Sequence, residues 1–220
     1  MMELEAVVFD MDGLIFDSEQ VVQRSWNIAG EELGYGRVGE HIYHTLGFNV
    51  KRREQYFKGV YGEDFKMAEF GVLSGKAFRR IVAEEGLKVK SGVRELLEYL
   101  KRQGIKTAVA TSSRREYSTE ILTDAGLWEY FDGAVFGDMV ENAKPDPEIY
   151  RKACEKIGAD PEKSIALEDS PAGIRSAHAA GMMPIMVPDL VEPDEEIQQL
   201  YIKKFPTLHK VLDFLQCQAE

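Results

Sequence analysis

Ala6-Val7-Val8-Phe9-Asp10-Met11-Asp12-Gly13 is a short apolar run that ends abruptly in two acids and a glycine. A brief run of this kind, with no polar alternation, predicts a strand covered on both faces, as in a parallel sheet. Working outward, Thr107 to Ala110, Ser164 to Leu167 and Pro184 to Val187 repeat the pattern, with Ala134 to Phe136 as a shorter fifth run. Helical stripes lie between them. Ile149, Tyr150, Ala153, Cys154 and Ile157 fall on one face, with Asp146 as expected N-cap, Pro147 at the first helical position and Gly158 as terminator. Ser170-Pro171, Ile174, Ala177 and Gly181 repeat that grammar, and Tyr117, Ile121, Leu122 and Ala125 form a stripe stopped by Gly126. Alternating strands and helices predict an α/β fold, a doubly wound parallel sheet.

The stretch from Leu14 to about Glu85 breaks the alternation. Its apolar residues keep helical spacing in Val21 to Leu33 and in Phe78 to Val82, with aromatics between. The expected organisation is an α/β catalytic core of residues 1–13 and 88–220 and an inserted all-helical cap domain of residues 14–87, with a return hinge near Gly86 to Lys90. Trp26, Tyr56, Phe57, Phe65 and Phe70 are expected to form the core of the insertion, and Lys51-Arg52-Arg53 a solvated helix face with Arg52 as a candidate substrate contact. The run Glu192-Pro193-Asp194-Glu195-Glu196 reads as a solvated turn and first helical turn.

Bulk composition narrows the function. With 44% hydrophobic and 30% charged residues the chain is globular, and its formal net charge of -11 argues against nucleic acid or an anionic membrane as partner. Cys154 and Cys217 lack metal-ligand spacing and fit a reduced cytoplasm. Neither a signal peptide nor an apolar run of about 18 residues is visible. Nothing demands more than a monomer. His41, His44, His178 and His209 are scattered, as packing or surface residues.

Ligands of open parallel sheets bind beyond the carboxyl ends of the strands. Those ends carry Asp10 and Asp12, then Thr111-Ser112-Ser113, Asp138, and Glu168-Asp169, with Lys144 as the obvious cation. Two like charges about 4 Å apart repel by roughly 4 kcal/mol at an effective dielectric near 20, so such a cluster needs protons or a metal. All-oxygen ligands favour Mg²⁺, and a small anionic substrate would share its field. Asp138 is either a hydrogen-bond acceptor for Lys144 or a loop acid. Thr111 and Ser112 read as both helix cap and phosphate site; Ser170 reads as the cap of its helix, leaving Glu168 and Asp169 free.

Asp10-Met11-Asp12-Gly13 after a strand, Thr111 at the end of the next core strand, Lys144 in Ala143-Lys144-Pro145, and Glu168-Asp169 after another strand resemble, in order and spacing, the motifs of the haloacid dehalogenase-like hydrolase superfamily. The insertion is similar to the helical cap of its branch of β-phosphoglucomutase and sugar-phosphate phosphatases. The resemblance implies a Rossmann-like core and a Mg²⁺-dependent phosphatase acting on a small phosphorylated metabolite. Asp10 would be the nucleophile that becomes an aspartyl phosphate, and Asp12 the general acid and base. Thr111 and the Ser112 N–H would bind phosphoryl oxygens and Lys144 would neutralise charge. Asp10, the Asp12 carbonyl, Glu168 and Asp169 would hold Mg²⁺.

Three other activities share parts of this pattern. A dehalogenase has no need of a protonating Asp12. A β-phosphoglucomutase-type phosphomutase carries a histidine where Val22 stands, and basic contacts that Leu46-Gly47-Phe48-Asn49-Val50 does not reproduce. A phospho-receiver module, which also pairs acids with Mg²⁺ and a lysine, is phosphorylated at the end of its third strand and has no such insertion.

Overall fold

In the computed structural model, which describes residues 4–45 and 50–219, the opening apolar run is strand β1, Ala6–Phe9, and all four residues are fully buried. Expectations for the amino-terminal residues 1–3 and for residues 46–49 lie outside the described residues. After β1 the chain runs through helices α1 (Glu19–Glu32), α2 (Ile42–Thr45), α3 (Val50–Tyr61) and α4 (Met67–Glu85) before the sheet resumes. It continues through α5 (Val93–Gln103), β2 (Lys106–Thr111), α6 (Arg115–Asp124), β3 (Gly133–Phe136) and α7 (Glu148–Ile157). β4 (Ser164–Glu168), α8 (Pro171–Ala179), β5 (Met183–Met186), β6 (Lys203–Lys204) and α9 (Leu208–Ala219) complete it.

The strands pair in the order β3-β2-β1-β4-β5-β6, all parallel among the described residues. The order reverses between β1 and β4, where crossover connections leave a crevice beyond the carboxyl ends. Asp10 N–H still donates to Leu167 O at 3.0 Å, so the pairing runs one residue past β1 and fixes where the acids begin. On one face Ala6, Val8, Ala108, Ala110 and Ala166 pack against Ile149, Tyr150, Ala153, Cys154 and Ile157 of α7. The alanines admit the helix closely, and each large side chain buried there contributes about 1.5–3 kcal/mol.

Strand β6 was not visible in the sequence. It is two exposed lysines at the sheet edge, with no apolar pattern to betray it, and such short charged edges discourage further strand pairing. Ser170 caps α8, its Oγ accepting from Gly173 N at 3.1 Å. Helix α7 starts one residue later than expected, at Glu148 behind Pro147, with Asp146 accepting from Glu148 N at 2.9 Å and Gly158 closing it in the left-handed conformation.

The chain divides into two compact units, Met1–Phe16 with Val89–Glu220, and Asp17–Lys88. The division falls three residues later than the sequence reading at Leu14, because Leu14, Ile15 and Phe16 are buried in a turn closed by Ile15 N and Phe16 N on Met11 O. In the helical unit Trp26, Phe57, Phe65 and Phe70 are buried, with Phe57 and Phe65 ring centroids 4.9 Å apart. Tyr56 lies at the edge of that core: half-buried, its ring centroid is 5.6 Å from that of Phe57, and its hydroxyl is hydrogen-bonded to His41 Nδ1 at 2.8 Å. Arg52 is exposed on α3, but Arg53 departs from the solvated-face reading. It turns over the Trp26 ring, 5.2 Å from the centroid, and burial holds its guanidinium below its ordinary value.

Candidate active site

The carboxyl end of β1 presents Asp10 and, two residues on, Asp12. Asp10 is 6% exposed, and Lys144 Nζ lies 2.6 Å from its Oδ1. The same ammonium lies 2.6 Å from Oε1 of Glu168, the last residue of β4, and donates to Ala110 O at 3.0 Å. Glu168 is fully buried. Its Oε1 also accepts from Tyr150 Oη at 2.6 Å, and its Oε2 accepts from Ser170 N at 3.3 Å and Ser170 Oγ at 3.0 Å. Both Glu168 oxygens are therefore engaged, a departure from the reading that Ser170 leaves this acid free. Helix α8 can start so close only because residue 173 is glycine: a Cβ there would lie 1.8 Å from Glu168 Cδ.

Asp12 Oδ2 accepts from Ser113 Oγ at 2.7 Å and from Thr111 Oγ1 at 3.4 Å. Thr111 Oγ1 in turn accepts from Ser113 N at 3.1 Å. The expectation that Thr111 and Ser112 cap the following helix is corrected. Helix α6 begins at Arg115 with Arg114 in the cap position, and the Asp138 carboxylate accepts from Arg115 N at 3.2 Å. Asp138 thus anchors the start of α6 and is not the acceptor of Lys144, whose partners are Asp10 and Glu168. Ser112 is exposed.

Lys144 reaches inward from a loop that α7 clamps from below. Glu148 accepts from Asn142 N at 2.9 Å, from Glu141 N at 3.1 Å and from Lys152 Nζ at 2.6 Å, while Lys152 also donates to Met139 O at 2.9 Å. Lys152, then the backbone N–H groups, lower the Glu148 carboxyl to about 2.

Electrostatics follow from burial. Desolvation pushes Asp10 up to about 8, with Glu168 and Asp12 adding to the rise and Lys144 opposing it. For Lys144 burial acts downward, but Asp10 and Glu168 outweigh it and hold the ammonium above its ordinary value. Burial, then the Glu168 charge, keeps the Tyr150 phenol well above its usual range. The cluster carries more negative than positive charge, a condition that a divalent cation relieves.

Asp10, Glu168 and Asp169 each offer a carboxylate oxygen, all within 4.8 Å of one another. Gly13, at φ +86°, shapes the wall: a Cβ at that position would lie 2.2 Å from Asp169 Oδ2. An all-oxygen donor set of this size fits a hard cation such as Mg²⁺.

Tyr150 is the site residue that sequence reading missed, and Ser113, placed at the strand end, had been given no role. Tyr150 had been placed in the α7 core stripe; its signal was the phenol itself, since a buried tyrosine hydroxyl needs a partner. Tyr150→Phe, which keeps the ring and deletes the donor, should cost about 1–3 kcal/mol. For a chain of this size that lowers Tm by about 2–4 °C per kcal/mol. Thermal unfolding in EDTA checks it, and an unchanged Tm would show that the bond to Glu168 contributes nothing.

The sequence pattern of the haloacid dehalogenase-like hydrolase family matches residues 7–187. The chain belongs to that family. A phosphorylated carbohydrates phosphatase of Thermotoga maritima is 36% identical over 181 residues, 81% of this chain and 82% of the relative. Hexitol phosphatase B of Escherichia coli is 29% identical over 201 residues, 84% of each chain. Among solved structures, CbbY from Rhodobacter sphaeroides in complex with phosphate is 27% identical with a TM-score of 0.78, covering 93% of this chain and 95% of CbbY. The family match contains Asp10, Asp12, Thr111, Lys144, Glu168 and Asp169, the residues that converge at the reversal of strand order.

Proposed function

We propose that this chain is a Mg²⁺-dependent phosphomonoester hydrolase that acts on a small phosphorylated carbohydrate through an aspartyl-phosphate intermediate. The observation that carries this reading is one buried ammonium, Lys144, bridging Asp10 and Glu168 while Asp12 is held two residues away by Ser113. The names of the Thermotoga and Escherichia relatives support phosphorylated carbohydrates as the substrate class.

In the first half-reaction an Asp10 carboxylate oxygen attacks phosphorus, the bond from phosphorus to the leaving oxygen breaks, and Asp12 gives its proton to the departing alkoxide. In the second, Asp12 takes a proton from water, the water oxygen attacks phosphorus, and the acyl phosphate bond breaks to return Asp10 and inorganic phosphate. The Ser113 hydroxyl keeps Asp12 oriented in both. Thr111 and the Ser112 N–H hold phosphoryl oxygens, and Lys144 offsets the charge that an anionic nucleophile meets at an anionic ester. Asp10, Glu168, Asp169 and the Asp12 carbonyl would hold Mg²⁺, which would supply further neutralisation of the phosphoryl oxygens.

The helical unit serves in this proposal as the cap that selects substrate, with Arg52 as a candidate contact; the support is the sequence resemblance. No helix among the described residues is long and apolar enough to cross a membrane, and one of the two cysteines is a buried free thiol. The free thiol suits a reduced cytoplasm, where this proposal places the chain, as a monomer.

The test is release of inorganic phosphate from p-nitrophenyl phosphate and from a panel of sugar and sugar-alcohol phosphates. Turnover should require Mg²⁺, vanish in EDTA and return when Mg²⁺ is restored; full activity in chelator refutes the metal requirement. Isomerisation of β-glucose 1-phosphate to glucose 6-phosphate would favour the mutase. Stable stoichiometric labelling without release would favour the receiver.

A further inference from the structure

Lys90 lies where the chain returns to the sheet unit, and both its ends are tied to the turn that follows Asp12. Its backbone N–H donates to Ile15 O at 2.8 Å, and its Nζ donates to Gly13 O at 2.7 Å. The ammonium also pairs with Asp189 Oδ1 at 2.6 Å, both side chains being mostly buried, at 26% and 16% exposure. The other oxygen, Asp189 Oδ2, is buried and has no hydrogen-bond partner among the described residues.

Topology gives these contacts their meaning. Gly13 follows β1 and Asp189 follows β5, while β4, which delivers Asp169, runs between those two strands. Lys90 therefore joins the loops on either side of Asp169. The Gly13 residue it grips is also the wall against which Asp169 rests, with 2.2 Å between Asp169 Oδ2 and the place of a Cβ. That residue belongs to a closed turn: Gly13 N donates to Phe16 O at 3.0 Å, and Ile15 N and Phe16 N donate to Met11 O at 2.9 and 3.1 Å. A turn so braced moves as a body, so the hold on Gly13 O sets the placement of the adjoining Asp12 as well.

We infer that Lys90 is a positioning residue of the site: its ammonium, anchored by Asp189, holds the Gly13–Leu14 peptide, and with it Gly13, against Asp169 and so fixes the general acid and a cation ligand relative to each other. This inference rests on the phosphatase reading for its catalytic part, whereas its cation part stands without it. Lys90 touches no reacting atom in this scheme. Groups that orient metal ligands from behind alter metal affinity by about 10–100-fold when removed.

The test compares Lys90→Met, Lys90→Arg, Asp189→Asn and the Lys90→Met/Asp189→Asn pair in the full chain. Three quantities are read: kcat and KM for p-nitrophenyl phosphate at saturating Mg²⁺, binding of Mg²⁺ alone by calorimetry, and thermal unfolding in EDTA. Lys90→Met should lower kcat by about tenfold or more, leave KM within about twofold, and weaken Mg²⁺ binding by about tenfold. Lys90→Arg, which keeps a charged donor for both acceptors, should recover most of the loss. Asp189→Asn should weaken Mg²⁺ binding by about threefold or more, and the pair should be no worse than Lys90→Met alone.

A folded Lys90→Met chain with unchanged kcat and Mg²⁺ binding overturns the inference. So does one whose Tm falls while kcat per folded molecule and Mg²⁺ binding stay as they were, since that describes a purely structural brace. If Lys90→Met does not fold, Asp189→Asn decides through its Mg²⁺ affinity, and an unchanged value overturns the proposal. A native chain that binds Mg²⁺ but releases no phosphate from any ester counts against the phosphatase reading, and the cation measurements then judge Lys90 alone.

Discussion

An Asp10→Asn chain should release no inorganic phosphate above background, a loss of at least about 10⁴-fold in kcat, because an amide cannot form the acyl phosphate on which both half-reactions depend. The same substitution should not harm the fold. Burial, with smaller additions from Glu168 and Asp12 and against the opposing Lys144, pushes the Asp10 carboxyl from an ordinary 3.8 up to about 8. A proton is thus bound more tightly folded than unfolded, and the native state holds more protons than the unfolded one between those two values. The Asp10 contribution to the stability of the metal-free protein is therefore fully present at the acid end of that window and is lost as pH rises through about 8. Asparagine, neutral at every pH, removes that contribution to the slope. Melting curves in EDTA from pH 5 to about 9 should show Tm falling less steeply for Asp10→Asn than for the native chain. Near-normal turnover by the variant would end the covalent mechanism; parallel melting curves would show that the carboxyl is not strained by its surroundings. Sites that trade stability for reactivity in this way are common.

What could be read from the residues alone follows from the range of the forces involved. β1, β4 and the cap of α8 were legible because burial on both faces and a Ser-Pro helix start are local patterns, written in consecutive residues. The convergence of Asp10, Lys144 and Glu168 was legible at one remove, since parallel strands place their carboxyl ends on one edge. What stayed hidden needed partners far along the chain. Tyr150 looked like any other apolar-stripe residue until Glu168 was found 2.6 Å from its hydroxyl. Asp138 reads equally as an acceptor for Lys144 or as a loop acid, and only the fold shows that the N-terminus of α6 claims it. Arg52 and Arg53 are equally basic on paper, and only packing on Trp26 distinguishes the second. Lys90 belonged to a segment read as a hinge, with nothing to announce that its amine crosses to Gly13 and Asp189.

Lys144→Met should be the most damaging substitution for stability and activity together. The native ammonium has four oxygen neighbours, Asp10 Oδ1, Glu168 Oε1, Ala110 O and, at 3.4 Å, Tyr150 Oη. Methionine fills a similar volume but leaves two buried carboxylates without a counter-charge, and breaking a buried ion pair from one side costs about 3–5 kcal/mol. With about 2–4 °C of Tm per kcal/mol, the metal-free variant should melt on the order of 10 °C below the native chain. Its kcat should fall by about 10³-fold, since the group that lets an anionic nucleophile approach an anionic ester is gone. Two comparisons separate these effects. Adding Glu168→Gln to Lys144→Met removes one of the stranded charges, so Tm should recover in part while kcat does not. Mg²⁺ should raise the Tm of Lys144→Met more than that of the native chain, because a cation among Asp10, Glu168 and Asp169 then supplies the positive charge that Lys144 no longer gives. If Lys144→Met melts with the native protein in EDTA, the ammonium is not the counter-ion of the buried acids, and the electrostatic basis of the proposed chemistry falls with it.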